Sequence, residues 1–201
     1  MKNKLLIVII TLGVGAGIGL GFMFSRTHNP SDRAMPASEG ILLSTPQPSI
    51  APGIPIAIVI PKINLHASVE SVGMDSKGRM DVPKNANDTA WYSPGYKPGM
   101  SGSAVIDGHL DRVTGAPAVF WNLKFLSAGD DIIVSENNGL VYTFAVNRIM
   151  RYPYDSFPIK EVFGATKSPM LNLITCNGVW DKNSKNYSDR LVVYSKLISQ
   201  K

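Results

Sequence analysis

The sequence predicts a mostly β protein, namely a closed or nearly closed mixed β-barrel of about eight strands with a few short helices. Two observations predict this fold. Residues 56–201 alternate short apolar runs with clusters of Gly, Pro, Asn and Asp, which is typical of strands joined by turns. In addition, Asn138-Gly139 lies between two such runs, and this dipeptide is a strong signal for a β-hairpin.

Seven runs have the composition of strands, and one of them shows the strand period clearly. In this run Tyr142, Phe144 and Val146 fall on one face of an extended chain, and the residues between them fall on the other. The runs are Ile56–Ile63, His66–Val72, Ser103–Asp107, Asp131–Ser135, Leu140–Met150, Met170–Thr175 and Arg190–Ile198. Two further segments have the pattern of short helices, Val119–Leu126 and Ile159–Phe163.

The N-terminal part of the chain predicts a membrane anchor. Residues 5–24 carry no charge, and as a helix they would be about 30 Å long, which is the thickness of a bilayer core. No small-residue cleavage site follows, so we expect residues 1–26 to be an uncleaved transmembrane signal anchor. Residues 27–55 are rich in Pro and Ser, which predicts a flexible tether, and 56–201 then form the folded domain. The two lysines before the apolar stretch favour a single-pass protein of the cell membrane with an extracellular domain.

Composition excludes several functions. The chain has 201 residues and a net charge of +5, but no run of five or six like charges occurs, so we expect no nucleic-acid partner. It contains one cysteine and three histidines. A single cysteine rules out an internal disulfide and every site that needs several thiolates, and no tight cluster of His, Asp or Glu is present. We therefore expect neither a metal nor another cofactor.

Cys176 is the first candidate for chemistry. It ends an apolar run and precedes Asn177-Gly178, so we expect it at the end of a strand with its thiol at the rim of the barrel. A lone cysteine is often only a small buried hydrophobe, and that interpretation stays open from the local sequence. A free thiol outside the cell is exposed to oxidation, so an unpaired cysteine there usually has a function. The functional and the structural interpretations of Cys176 therefore have equal support from the local sequence.

Two further residues lie at the ends of predicted strands. His109 follows the turn residue Gly108, which itself follows a strand, and Arg190 begins the last strand. Taken singly, a histidine in a turn and an arginine at a strand start are most often surface residues. No serine lies in a G-x-S-x-G motif, which leaves Ser-His-Asp catalysis without support.

The order of these residues is more specific than any one of them. A histidine after one strand, a cysteine ending the penultimate strand and an arginine opening the last strand resemble the sortase family, the membrane-anchored cysteine transpeptidases of Gram-positive bacteria. Residues 172–176 (NLITC) match the family's T-L-x-T-C motif except for Asn at its first position. The segments most similar to class F are 104–111, 115–120, 126–130 and 173–194, and the resemblance covers about residues 56–198.

The resemblance implies an activity and a role for each residue. Cys176 is expected to attack an LPxTG-like motif between Thr and Gly and to form a thioester, which a cell-wall amine then resolves. His109 is expected to act as acid and then as base, Arg190 to donate hydrogen bonds to the substrate oxygen, and Thr175 to help shape the oxyanion site. For residues 150–163 two interpretations stay open: they form the groove for the Leu-Pro part of the motif, as the resemblance implies, or their apolar side chains fill the end of the barrel.

The implied partners are surface proteins with a C-terminal sorting signal of this kind and the amine of a peptidoglycan precursor or cross-bridge. Two other interpretations of the same residues stay open. One is a membrane-tethered β-barrel binding module in which Cys176 is structural. The other is a hydrolytic cysteine peptidase, in which water takes the place of the amine.

Overall fold

The computed structural model describes residues 51–201, and these form a closed barrel of eight strands. The strands are β1 (Pro55–Ile60), β2 (Leu65–Val72), β3 (Thr89–Tyr92), β4 (Gly102–Gly108), β5 (Asp131–Glu136), β6 (Val141–Pro153), β7 (Pro169–Asp181) and β8 (Asn186–Gln200). Around the barrel they follow the order β1-β2-β3-β4-β7-β8-β6-β5, and the pairs β2/β3 and β4/β7 are parallel. The predicted fold class, a mixed β-barrel with few helices, is confirmed.

Alternation along β7 separates the barrel interior from the outer face of the sheet. Leu171 and Leu173 are buried and pack in the main core inside the barrel. Because successive side chains of a strand point to opposite faces, Thr175 points inward with them, whereas Ile174 and Cys176 point outward. Cys176 therefore lies on the outside of the barrel wall.

A second apolar cluster covers part of this outer face. It consists of the buried residues Val105, Val162, Ile174, Val192 and Tyr194, with partly buried aromatic side chains packed against it. Three neighbouring strands, β4, β7 and β8, supply four of these residues, and Val162 comes from the short helix α1 (Ile159–Val162). Burial of an aliphatic side chain contributes about 1.5–3 kcal/mol, so this cluster holds the connection between β6 and β7 against the barrel.

The structure departs from the predicted elements in the short segments. Strand β3 is not among the predicted strands because its residues are buried on both faces and show no polar–apolar alternation. The predicted helix over 119–126 contains only a 3-10 turn, Leu123–Phe125. The predicted helix over 159–163 is confirmed as α1, which is four residues long.

The predicted hairpin at Asn138-Gly139 is confirmed. It joins β5 to β6, and Gly139 has a φ of +87°, a backbone conformation that favours glycine. Strands β7 and β8 both extend beyond their predicted ends and form a second hairpin, in which Trp180 is paired with Tyr187. This hairpin continues the sheet past Cys176, so the prediction that Cys176 ends a strand at the rim of the barrel is wrong, because the residue lies within β7 on the outer face of the sheet. Arg190 likewise lies within β8 and does not begin it.

Within residues 51–201 no helix is both long and apolar enough to cross a bilayer. The expected single-pass location at the cell membrane is corrected on this finding, since the part of the chain that the structure describes contains no membrane-spanning helix. The predicted anchor, residues 1–26, and most of the predicted tether, residues 27–55, lie outside the described residues.

Candidate active site

Strand register places three of the predicted residues on one face of the barrel. Cys176 on β7 and Arg190 on β8 are Cα partners in an antiparallel pair, so their side chains point to the same face. Strand β4 runs parallel to β7, with Asp107 opposite Ile174. His109 lies two residues beyond Asp107 and therefore comes level with Cys176, which lies two residues beyond Ile174.

These side chains line a cavity of about 790 Å³. Its floor is the outer face of β4, β7 and β8, and its walls are the connection between β2 and β3 and the connection between β6 and β7. The walls carry apolar side chains that remain open to solvent, such as Ile159, 66% exposed, and Met74, 58% exposed. Exposed apolar walls around a few polar groups are typical of a site that binds an extended ligand with apolar side chains.

The ring of His109 is held by the connection between β2 and β3. Its Nε2 lies 3.0 Å from the carbonyl oxygen of Pro83. A carbonyl only accepts hydrogen bonds, so Nε2 carries a proton and Nδ1 is left to exchange a proton with a substrate. Among residues 51–201 no hydrogen bond joins this ring to the Cys176 thiol.

The backbone of His109 is fixed by three neighbours. The Phe120 N–H donates to the His109 carbonyl at 2.9 Å. A Cβ on Gly108 would lie 2.5 Å from the Phe120 ring, so the close packing of this ring requires glycine. The buried hydroxyl of Thr175 donates a 2.8 Å hydrogen bond to the Gly108 carbonyl.

Thr175 is not one of the residues that line the cavity. Its side chain lies on the inner side of β7, and its contact is with the residue that precedes His109. The predicted role of Thr175 at an oxyanion site stays a prediction. The contact present in the structure supports the strand end that carries His109.

Arg190 is held by the first residues of β8. Its Nη2 donates to Asn186 Oδ1 at 2.8 Å, and its Nη1 donates to the carbonyls of Asp189 at 2.9 Å and Tyr187 at 3.3 Å. The guanidinium also stacks on the ring of Tyr154, with its carbon 4.6 Å from the ring centre. A guanidinium has five N–H groups, so Nε–H and one Nη2 proton remain for a ligand.

The Cys176 thiol is half-buried and free. Burial raises its pKa above the ordinary value, the carboxylates of Asp107 and Asp111 raise it further, and the Arg190 guanidinium lowers it. The thiol is therefore the main form at neutral pH, although Arg190 favours the thiolate.

Asp107 is a residue of this cavity that sequence reasoning did not assign a role. Burial raises its pKa to about 6, against the opposing effects of His109 and Arg190. The signal in the sequence is the one charged residue of a strand, two positions before His109. Only the register between β4 and β7 shows that it shares a face with Cys176.

Asp111 links the segment that follows His109 to the β7–β8 hairpin. Its carboxylate accepts a hydrogen bond from the Tyr187 hydroxyl, which raises the pKa of Tyr187 to about 12. Asp111 belongs to the segment after His109, and Tyr187 belongs to β8. This contact ties the His109 segment to the hairpin that holds Arg190.

Comparison with known proteins identifies the family. The family model of the Sortase domain matches residues 58–198, which is most of the chain, so the protein belongs to the sortase family. This makes it a sortase-type cysteine transpeptidase, and Cys176 is the only cysteine in its sequence. None of the curated proteins matches the chain.

Solved sortase structures share the fold. Sortase C1 from Streptococcus agalactiae is 21% identical, with a TM-score of 0.56 over 72% of this chain and 67% of that chain. Sortase A from Listeria monocytogenes is 16% identical, with a TM-score of 0.56 over 75% and 90%. A sortase D5 transpeptidase from Clostridium perfringens is 23% identical, with a TM-score of 0.54 over 75% and 83%. The likeness is one of fold, and the resemblance to class F stays a prediction.

Proposed function

We propose that this sortase cleaves an LPxTG-like sorting motif between Thr and Gly and transfers the acyl part to a cell-wall amine. The substrates in this proposal are surface proteins with such a motif near the C-terminus, and the acceptor is the amine of a peptidoglycan precursor or cross-bridge. The observation that carries the proposal is the cavity itself, because Cys176, His109 and Arg190 all line it between apolar walls. Residues 56–201 are the catalytic domain in this proposal, which the family match over 58–198 supports.

In the first step, the Cys176 thiolate attacks the carbonyl carbon of the motif's Thr residue. A C–S bond forms, the C–N bond to Gly breaks, and the departing amine takes a proton from His109. The Nε2 proton is held by the Pro83 carbonyl, so the donor in this step is the imidazolium form of His109, which gives the proton on Nδ1 to the leaving amine. The raised pKa of Cys176 keeps the thiolate a minor species, and the step needs this thiolate and the His109 imidazolium together, so we expect a slow reaction whose rate depends on pH near neutrality.

Arg190 stabilises the negative oxygen of the tetrahedral intermediate in this mechanism. Its two remaining N–H groups are the donors, and its contacts to Asn186 and Tyr154 hold the guanidinium in place before substrate binds. A donor that is already oriented needs no reorganisation when charge develops, which is why such groups contribute strongly to catalysis.

In the second step, the acceptor amine attacks the thioester carbonyl and His109 takes up a proton from it. The new C–N bond forms as the C–S bond breaks, which restores the Cys176 thiolate and the His109 imidazolium with which the first step began. If water attacks instead, the product is a free acid and the protein acts as a hydrolytic peptidase.

Incubation of the purified chain with an L-P-x-T-G peptide library and a glycine amide tests this proposal. We expect a peptide joined to the amine, and we expect Cys176→Ala to abolish it. Product acid that is insensitive to added amine would favour a peptidase. If the folded chain bound peptides but cleaved none, and Cys176→Ala bound them equally well, a binding module would be favoured.

A further inference from the structure

Asp107 lies on the floor of the cavity, beside the nucleophile. It is the Cα partner of Ile174 across β4 and β7, and Cys176 follows Ile174 by two residues on the same face. Both Asp107 and Cys176 line the cavity. Asp107 and Cys176 are thus diagonal neighbours on adjacent strands, on the same face of the sheet.

The arginines and the histidine of the cavity make their hydrogen bonds with groups other than Asp107. Within residues 51–201, no Lys, Arg or His forms an ion pair with Asp107. Arg79 is paired with Asp75 at 2.6 Å, and Arg190 donates to the hairpin residue Asn186. The proton on His109 Nε2 is directed at a backbone carbonyl. His109 and Arg190 act on Asp107 through their charges, which lower its pKa, but no Lys, Arg or His among the described residues is bonded to its carboxylate.

Such a carboxylate is unfavourable unless something binds it. Removal of an ionised group from water is costly without a charged or hydrogen-bonding partner, and burial accordingly raises the pKa of Asp107 to about 6. Above that pH the group is an anion that faces the cavity. The side chains that line the cavity include four Asp and two Arg, so the cavity as a whole also favours a positive ligand.

We propose that Asp107 is a specificity-determining residue that binds a positively charged group of a substrate within the catalytic cavity. This inference rests on the proposed function, which supplies two sources for the cation. One is the ammonium group of the acceptor amine as it approaches the thioester. The other is a basic side chain of the sorting peptide, held over the floor formed by β4 and β7.

Binding to the full chain carrying Cys176→Ala tests the proposal without any dependence on catalysis. The amine probe is glycinamide. The peptide probes are L-P-x-T-G peptides with lysine at each position in turn, each compared with its norleucine analogue. We expect Asp107→Asn to weaken binding of glycinamide or of one lysine peptide about tenfold to hundredfold, and to leave the norleucine peptides unchanged. The probe that is weakened identifies the source of the cation.

Two outcomes would overturn the proposal. One is equal affinity of the Asp107→Asn chain and its parent for glycinamide and for every lysine peptide. The other is an equal loss of affinity in Asp155→Asn. Asp155 also lines the cavity, so such a result would assign the effect to the total charge of the cavity and not to Asp107. Failure of the chain with Cys176 to form a thioester would instead contradict the proposed function. In an active chain, Asp107→Asn should raise KM for the identified substrate more than it changes kcat.

Discussion

Cys176 and Arg190 are direct partners across β7 and β8, yet the Arg190 guanidinium makes its hydrogen bonds away from the thiol. It donates to Asn186, Tyr187 and Asp189 in the hairpin that follows Cys176. The hairpin thus holds the Arg190 guanidinium beside Cys176, and two of the guanidinium N–H groups make no hydrogen bond within the described residues. This arrangement makes the charge of Arg190 available to the thiolate and its spare donors available to a substrate oxygen.

Substitution of Arg190 by lysine should separate these two contributions. Lysine keeps the charge but not the planar set of donors, so we expect kcat to fall about a hundredfold or more, as when one oxyanion donor is removed. The iodoacetamide rate of Cys176 should fall much less. Steady-state kinetics and alkylation rates on the same preparation measure both effects, and equal losses in the two assays would argue against the donor role.

The alkylation rate of Cys176 should depend on pH in a defined way. Because its pKa is raised, the rate should increase about tenfold per pH unit through neutrality without a plateau. Asp107→Asn removes a nearby negative charge, which should lower the thiol pKa and increase the rate at pH 7. Arg190→Gln removes a positive charge and should decrease it. A plateau below pH 7 would show that the thiolate is already the main form.

Thr175→Val should affect activity through His109. The substitution leaves the Gly108 carbonyl without its 2.8 Å partner inside the barrel, which should cost about 1–3 kcal/mol of unfolding free energy. We expect kcat to fall as the strand end that carries His109 shifts. Thr175→Ser keeps the hydroxyl and is the matched control, with near-normal urea unfolding and kcat. Loss of kcat in Thr175→Ser as well would indicate that the methyl group, and not the hydrogen bond, sets the position.

Gly108→Ala should lose both stability and activity. The new methyl group would meet the Phe120 ring at 2.5 Å, and overpacking of this kind costs about 1–3 kcal/mol. Phe120→Leu in the same chain shortens the opposing side chain and should recover part of the melting temperature. If Gly108→Ala melted like the unsubstituted protein, the close packing of Phe120 would not be what requires glycine.

Asp107 should make stability depend on pH between about 4 and 6. Its pKa is about 6 in the folded state against an ordinary value of 3.8, so the folded state holds this proton more tightly. Unfolding free energy should therefore fall as pH rises through that window, by up to about 3 kcal/mol, and the loss should be complete above pH 6. Urea unfolding from pH 4 to 7 measures it. Asp107→Asn should flatten the slope, whereas Asp131→Asn, an exposed change on β5, should keep it.

Cys176 and His109 were candidates from sequence because each has a recognisable neighbour, although only His109 follows the end of a strand, and Cys176 and Arg190 lie within β7 and β8. Cys176 follows an apolar run, and His109 follows Gly108. Their order along the chain, together with Arg190, indicated the family that the Sortase domain match then established. The barrel was predictable for a similar reason, since turn residues divide the chain into short strands.

The features of the fold and of the candidate site that were not predicted from sequence depend on contacts between residues far apart in the chain. The importance of Asp107 follows from its pairing with Ile174, and the orientation of Thr175 from its bond to Gly108, 67 residues away. Strand β3 has no alternation because both its faces are buried. None of these features leaves a local pattern, so only the strand register makes them visible.

The most direct test of the account is the intact mass of the protein after mixing with an LPxTG-like peptide in the absence of an amine. The account predicts an added mass equal to the acyl part of the peptide, located on Cys176 and released by hydroxylamine as expected of a thioester. Cys176→Ala should show no added mass. Cleaved peptide without any adduct on Cys176, or an equal adduct on Cys176→Ala, would contradict the claim that this thiol is the nucleophile.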